Sequence, residues 1–451
     1  MKGLAVKDTK DLLKADAENI WHSMRKYEPS KTMVVTNADG AWITDSEGNR
    51  YLDGMAGLWC VNAGYGRTEL AEASYQQLKR MPFYPLTHSH LPAIELGEKL
   101  NEWLGDDYIF YFSNSGSEAN ETAFKIARQY HRQTGNPDRY KFISRYRAYH
   151  GNSMGALAAT GQAQRKYKYE PLGQGFLHVA PPDCYRSDFD HTNGLCCTQS
   201  AKEIDRVMRW ELDETIAGVI MEPIITGGGV LVPHDNYLKE VRKICDEHGA
   251  LLIIDEVING FGRTGKPFGF MHYDIKPDII TMAKGITSAY LPLSVTAVRR
   301  DLFDAFKGTE EYDHFRHVNT FGGSPASCAV ALKNLEILEE EKLVERSAIL
   351  GERLRQETLE LYDHPNVGDV RCKGLLLGIE LVEDKKSKKP ASTDKVNKVI
   401  GACKERGLII GKNGDTVDGY NNILTLSPPL NLTDEDFEFL VHTLKEAIWQ
   451  I

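Results

Sequence analysis

The order of apolar and polar positions changes character twice along this chain. Over residues 33–53 (MVVTNADGAWITDSEGNRYLD) short extended stretches are separated by Asp-Gly and Glu-Gly pairs, which predicts a hairpin or small meander of strands. From about residue 90 helical and extended patterns alternate. Helices are expected over 95–104 and 118–133, and strands over 108–112, 141–144 and 216–221. A helix over 237–248 then feeds ALLII (250–254), apolar on both faces and bounded by Gly249 and Asp255. So short a run, with no polar face, suits a strand buried in a parallel sheet. The expected fold class is α/β, a large doubly wound mixed sheet with a smaller α+β domain. Beyond residue 325 the texture shifts to one long helical region over 325–361. A strand over LLLGIELV (375–382), a polar loop over 383–392, a helix and a final strand–turn–helix follow. The expected division is 1–58 as an N-terminal segment of the small domain, 59–325 as the large domain and 326–451 as the C-terminal small domain. No internal repeat is visible.

Composition narrows the picture. A chain of 451 residues has room for two or three packed domains, and 41% hydrophobic with 26% charged residues is a globular mix. A formal charge of −10 argues against a broadly basic nucleic-acid binder. No apolar run is long enough to span a bilayer, and the charged start MKGLAVKDTKDLLKADAENIW lacks the apolar core of a secretory signal. The expectation is a soluble cytoplasmic protein that binds neither nucleic acid nor membrane. The eight cysteines are scattered, with no CxxC pair and no zinc spacing, and the adjacent Cys196 and Cys197 read as two thiols in a loop rather than as a redox-active pair. His88 and His90 (THSH) read as loop or packing residues, so no metal is expected, and KKSKK (385–389) reads as a solvated loop.

Three places carry chemistry. In YFSNSGSEAN (111–120) a strand gives way to small polar residues and a helix whose apolar stripe is Ala119, Ala123, Ile126 and Tyr130. Ser115 and Glu118 have capping-box spacing, and free amides with hydroxyls at a helix start suit a phosphate as well as an ordinary cap. Asp255 is the first charge after an apolar strand, at the end of the sheet where ligands gather. A salt bridge and a ligand contact both answer its need for a partner. Lys284 ends a second apolar strand in DIITMAKG (278–285), either as a solvated lysine or as an amine nucleophile. Together, a phosphate cradle, a carboxylate for a pyridinium nitrogen and a lysine for a Schiff base are what pyridoxal 5′-phosphate requires.

The stretch LLIIDEVINGFGRTGKPFGFMHYDIKPDIITMAKGITSAYLPLSV (251–295) resembles the signature of the class III aminotransferases, fold-type I enzymes that use pyridoxal 5′-phosphate. NSGSEAN (114–120), Tyr149-His150-Gly151, Met221-Glu222-Pro223, GLWCVNAGYGR (57–67) and SPPLNLT (427–433) match in the same order, so the resemblance spans about residues 20–445. It implies Lys284 as the Schiff-base lysine and proton shuttle, and Asp255 at the pyridine nitrogen. It places Val257 and Tyr149 on the two ring faces, and Ser115, Gly116 and Ser117 at the phosphate. It also implies His150 in the cofactor site and Glu222 near Asp255 on the ring-hydroxyl side. Thr320 would reach the phosphate of the neighbouring subunit, which makes the active unit a homodimer or homotetramer.

The sequence departs from the family at two points. The segment before the long helix reads His317-Val-Asn-Thr-Phe-Gly-Gly-Ser-Pro325 rather than Gly-x-Thr-Tyr-Ser-Gly-His-Pro. Where many members carry a carboxylate-binding arginine, Gly407-Leu-Ile-Ile-Gly-Lys-Asn413 offers Gly411 or Lys412, and Arg165 is the substitute anion binder. Leu58, Trp59, Tyr84 and Leu86 are expected to wall the substrate pocket. The stretch 151–176 is similar to taurine:pyruvate aminotransferases, which implies ping-pong transfer from an ω-amino acid or amine (taurine, β-alanine or similar) to pyruvate, giving alanine. The alternatives are an aminomutase or decarboxylase on the same fold, a Schiff-base aldolase without the cofactor, and a non-catalytic cofactor-sensing regulator. The last would need a DNA-binding module, and the N-terminal segment has no such pattern.

Overall fold

The computed structural model describes residues 8–24, 26–29, 32–187, 195–414 and 416–451. The N-terminal meander forms as expected from β1 (Val35–Asp39), β2 (Trp42–Asp45) and β3 (Arg50–Asp53), all antiparallel. The central sheet holds β4 (Tyr108–Ser113), β5 (Lys141–Arg145), β6 (Phe176–Val179), β7 (Ile216–Met221), β8 (Leu251–Asp255), β9 (Ile279–Met282) and β10 (Ser294–Arg299). Its order is β4-β10-β9-β8-β7-β5-β6, parallel except at β10, which is antiparallel to both neighbours. Strands β7, β8 and β9 are buried at every position, the consequence of covering both faces with helices.

The connections set what arrives at the sheet's edge. Helix Tyr237–His248 stops at Gly249, whose φ of 65° turns the chain directly into β8. Register pairs Met221 with Ile254 and Asp255 with Thr281, so β7, β8 and β9 end level with one another. Beyond those ends lie Glu222, Val257 and Lys284. Strand β4 runs in the same sense and ends at Ser113, just before helix Gly116–Gln133. The chemistry-bearing residues therefore collect at one edge, where an open α/β sheet binds its ligands.

The third sheet contains β11 (Val367–Lys373), β12 (Leu376–Asp384), β13 (Lys389–Pro390), β15 (Gly411–Lys412) and β16 (Ile423–Leu426). Strand β14 (Leu408–Ile409) leaves it and pairs in parallel with β3, Leu408 against Leu52. The helical region after 325 is not continuous. It divides into Pro325–Glu340, Leu343–Glu357 and a 3-10 stretch Leu359–Asp363, and Lys342 makes the break at φ 52°. Cys196 and Cys197 are not loop thiols. Both are buried in the first turn of helix Leu195–Trp210, and Cys196 is disulfide-bonded to Cys184. Among the described residues no helix is long and apolar enough to cross a membrane.

Candidate active site

Asp255 sits at the carboxyl end of β8, 2% exposed, and the structure supplies the partners its burial demands. Its Oδ2 lies 2.8 Å from His150 Nδ1 and accepts from Asn120 Nδ2 at 2.9 Å, while Oδ1 accepts from the Val257 amide at 3.0 Å. Asn120 is itself fixed, because its Oδ1 accepts from Thr281 Oγ1 at 2.7 Å and its Nδ2 also reaches the His150 carbonyl. The carboxylate is thus held rigidly by neutral donors and a histidine, with no lysine or arginine bonded to it among the described residues. His150 Nε2 is buried without a hydrogen-bond partner. Glu222 stands behind, accepting from the Tyr149 amide and from the amide and hydroxyl of Thr226. Burial pushes its pKa above the usual carboxylate value, with Asp255 adding to the push and His150 opposing it.

Lys284 follows β9 with φ 48°, in the left-handed region that an L side chain enters at a cost of about 1–2 kcal/mol. Its Nζ makes no hydrogen bond or ion pair among the described residues. Burial holds its pKa below the ordinary lysine value, against the opposing pull of Cys60, Asp255 and Glu222. An unpartnered amine with a lowered pKa is a nucleophile and a base.

The start of helix Gly116–Gln133 forms the opposite wall. Ser115 caps it, its Oγ accepting from the Glu118 amide at 3.3 Å. The capping box does not close: Glu118 turns its carboxylate to the Asn114 amide at 2.7 Å instead of the Ser115 amide. Two glycines make room. A Cβ on Gly116 would lie 3.0 Å from both Val257 methyls, and one on Gly151, at φ 135°, would lie 2.4 Å from Ser117 Oγ.

These residues enclose a cavity of about 130 Å³ lined by Gly116, Ser117, Asn120, Tyr149, His150, Gly151, Glu222, Asp255, Val257, Ile258 and Lys284. Nine of the residues singled out in the sequence meet there. Asn120 and Ile258 were missed; the signal for Asn120 was a polar residue within the buried face of a helix. Asp53 was missed too. Its carboxylate accepts from the Met55 and Gly57 amides and from the Tyr65 hydroxyl, clamping a turn in which Ala56 and Trp59 take positive φ.

Other candidates lie outside the cavity lining. Ser115 is at the helix cap, and Thr320 is exposed. Leu58 and Tyr84 are exposed and Leu86 half-buried, whereas Trp59 is buried in a cluster with Ile224, Val230 and Leu376. The Arg165 guanidinium lies 4.9 Å from the centre of the Tyr149 ring. Lys412 Nζ donates to Asn397 Oδ1 at 3.0 Å.

The family model for Aminotransferase class-III matches residues 23–448. The chain belongs to the class III aminotransferases. It is 66% identical to the uncharacterized aminotransferase YhxA of Bacillus subtilis (strain 168), over 99% of this chain and 98% of that one. It is 39% identical to the taurine–pyruvate aminotransferase of Bilophila wadsworthia (strain 3_1_6), over 98% and 97% of the two chains. An (S)-enantioselective omega-transaminase from Thermomicrobium roseum has a solved structure that superposes with a TM-score of 0.92 at 38% identity, covering 98% of this chain and 99% of its own. Class III aminotransferases are fold-type I enzymes dependent on pyridoxal 5′-phosphate. The site fits that cofactor. It offers an unpartnered lysine amine, a buried carboxylate, an unpaired His150 nitrogen, and a helix start kept open by glycines.

Proposed function

We propose that this class III aminotransferase moves an amino group from an ω-amino acid or amine, such as taurine or β-alanine, to pyruvate, releasing alanine by a ping-pong mechanism. The observation that carries the reading is the free Lys284 amine beside the rigidly held Asp255 carboxylate. Pyridoxal 5′-phosphate, when bound, supplies an electron sink for the donor carbon once its proton has left. The protein does the rest. Ser115, Gly116 and Ser117 hold the phosphate at the start of the helix, and Val257 and Tyr149 flank the ring. Asp255, kept in place by Asn120 and His150, favours a protonated ring nitrogen, with Glu222 behind it. Lys284 Nζ takes the proton from the donor carbon as a neutral amine and returns it as an ammonium.

Arg165, stacked on Tyr149, meets the sulfonate or carboxylate of the donor, with Lys412 as the other candidate and Leu58, Trp59, Tyr84 and Leu86 as walls. The choice of donor is supported by the similarity to the Bilophila enzyme. The working unit in this reading is a cytoplasmic homodimer or homotetramer in which Thr320 serves the neighbouring site. Phe83, Tyr84, Val318 and Phe321 support it, since they leave exposed apolar surface near Thr320 that a second copy would cover. The division into 59–325 and 1–58 with 326–451 is supported by the pairing of Leu52 with Leu408.

A panel of donors with pyruvate, read by alanine production, tests the proposal. One alanine formed per taurine or β-alanine consumed is expected. Donor consumed without alanine would replace the reading with an aminomutase or a decarboxylase.

A further inference from the structure

Away from the active site, three sulfurs converge. Cys184, Cys196 and Cys197 place their Sγ atoms within 4.8 Å of one another. Cys184 is bonded to Cys196, and Cys197 Sγ lies 3.2 Å from Cys184 Sγ while accepting from the His234 amide at 3.3 Å. Cys184 is the only possible centre of this group. Adjacent residues such as Cys196 and Cys197 have Cα atoms about 3.8 Å apart, short of the roughly 4.4–6.8 Å that a disulfide usually spans. Either can bond to Cys184, but they are poorly placed to bond to each other.

A separate cavity of about 370 Å³, lined by Asp183, Cys184, Tyr185, Leu231, Arg371 and Lys388, gives small molecules access to Cys184. The segment carrying Cys184 also ties distant parts of the molecule together. Asp183 forms a buried ion pair with Arg147, two residues before Tyr149, and Arg186 pairs with Glu380 of β12. Disulfides in reducing compartments are usually transient and redox-sensing, and here a third thiol lies in contact with the bond, close enough to attack Cys184 Sγ.

We propose that Cys184, Cys196 and Cys197 form a reversible thiol–disulfide site that exchanges with low-molecular-weight disulfides and dithiols. In oxidation the Cys184 thiolate attacks a small disulfide, forming a mixed disulfide and releasing one small thiol. The Cys196 thiolate then attacks Cys184 Sγ, closing the Cys184–Cys196 bond and expelling the second small thiol. In exchange the Cys197 thiolate attacks Cys184 Sγ, so that the Cys184–Cys197 bond forms as Cys196 leaves as a thiolate. A dithiol reverses the oxidation, taking up the bond as its own disulfide and leaving two protein thiols.

The holoenzyme is treated with oxidised or reduced glutathione, alkylated with N-ethylmaleimide in denaturant and mapped by peptide mass spectrometry without reduction. After oxidation Cys184 is expected in one link, to Cys196 or to its exchange partner Cys197, with the other of the two alkylated; after reduction no link and three alkylated thiols are expected. Cys196→Ser should redirect the link to Cys184–Cys197, and dithiothreitol should lower the Tm of the wild type by a few degrees. Three alkylated thiols after oxidation, or a link to a cysteine outside these three, would overturn the proposal. So would one tightly held zinc per reduced chain, which would make the cluster a metal site. The wild-type map decides the matter even if a variant fails to fold.

Discussion

The floor and the mouth of the active site are built on different terms. On the floor, Thr281, Asn120, Asp255 and His150 are each at most 2% exposed and joined in one hydrogen-bonded chain. In the proposed reading the mouth takes in Leu58, which is 69% exposed, and Arg165, which is held chiefly by a ring face and by Gln162. A floor whose polar atoms, His150 Nε2 apart, satisfy one another tolerates little change, since removing one leaves its partners buried and unpaired. The mouth has few such debts. In the proposed reading the floor therefore sets the reaction type and the mouth distinguishes donors.

Substitutions probe that contrast in order of expected effect. Lys284→Ala should lower alanine formation from pyruvate by about 10³-fold or more while leaving the fold intact, because it removes both nucleophile and proton carrier. More than trace turnover would take Lys284 out of its role. Asp255→Asn keeps the shape of the floor and loses its charge; kcat should fall by roughly 10²-fold, measured with saturating cofactor.

Glu256 tests the floor from behind. Its carboxylate accepts from the Gly269 and Phe270 amides, and burial pushes its pKa up to about 8 from 4.5. A folded-state pKa raised above the unfolded one gives stability that is complete below pH 4.5 and drains away as the pH climbs through about 8. Thermal melts should record a loss of the order of a few kcal/mol across that window, and Glu256→Gln should flatten it. A wild-type Tm that rises over the same range would contradict the assignment. The smallest effect belongs to the mouth: Arg165→Ala should raise KM for sulfonate and carboxylate donors about tenfold and leave 1-phenylethylamine unchanged. Equal losses for both classes would remove Arg165 from anion binding.

The same contrast explains what could be read from the sequence. Asp255 and Lys284 stood out because each ends an apolar strand, and parallel register brings strand ends together. The helix start after β4 was equally plain. Asn120 was missed because its importance lies in three partners from distant segments. The break at Lys342 left no trace in a run rich in helix formers, and the union of Cys184 with Cys196 depends on how a segment folds back rather than on spacing.

One pairing bears on how the molecule is made. Strand β3 takes its parallel neighbour from β14, so during synthesis the N-terminal meander leaves the ribosome with a bare flank that only a late stretch of chain can cover. Until Leu408 arrives, that flank is an unpaired strand edge, open to strands of other nascent molecules.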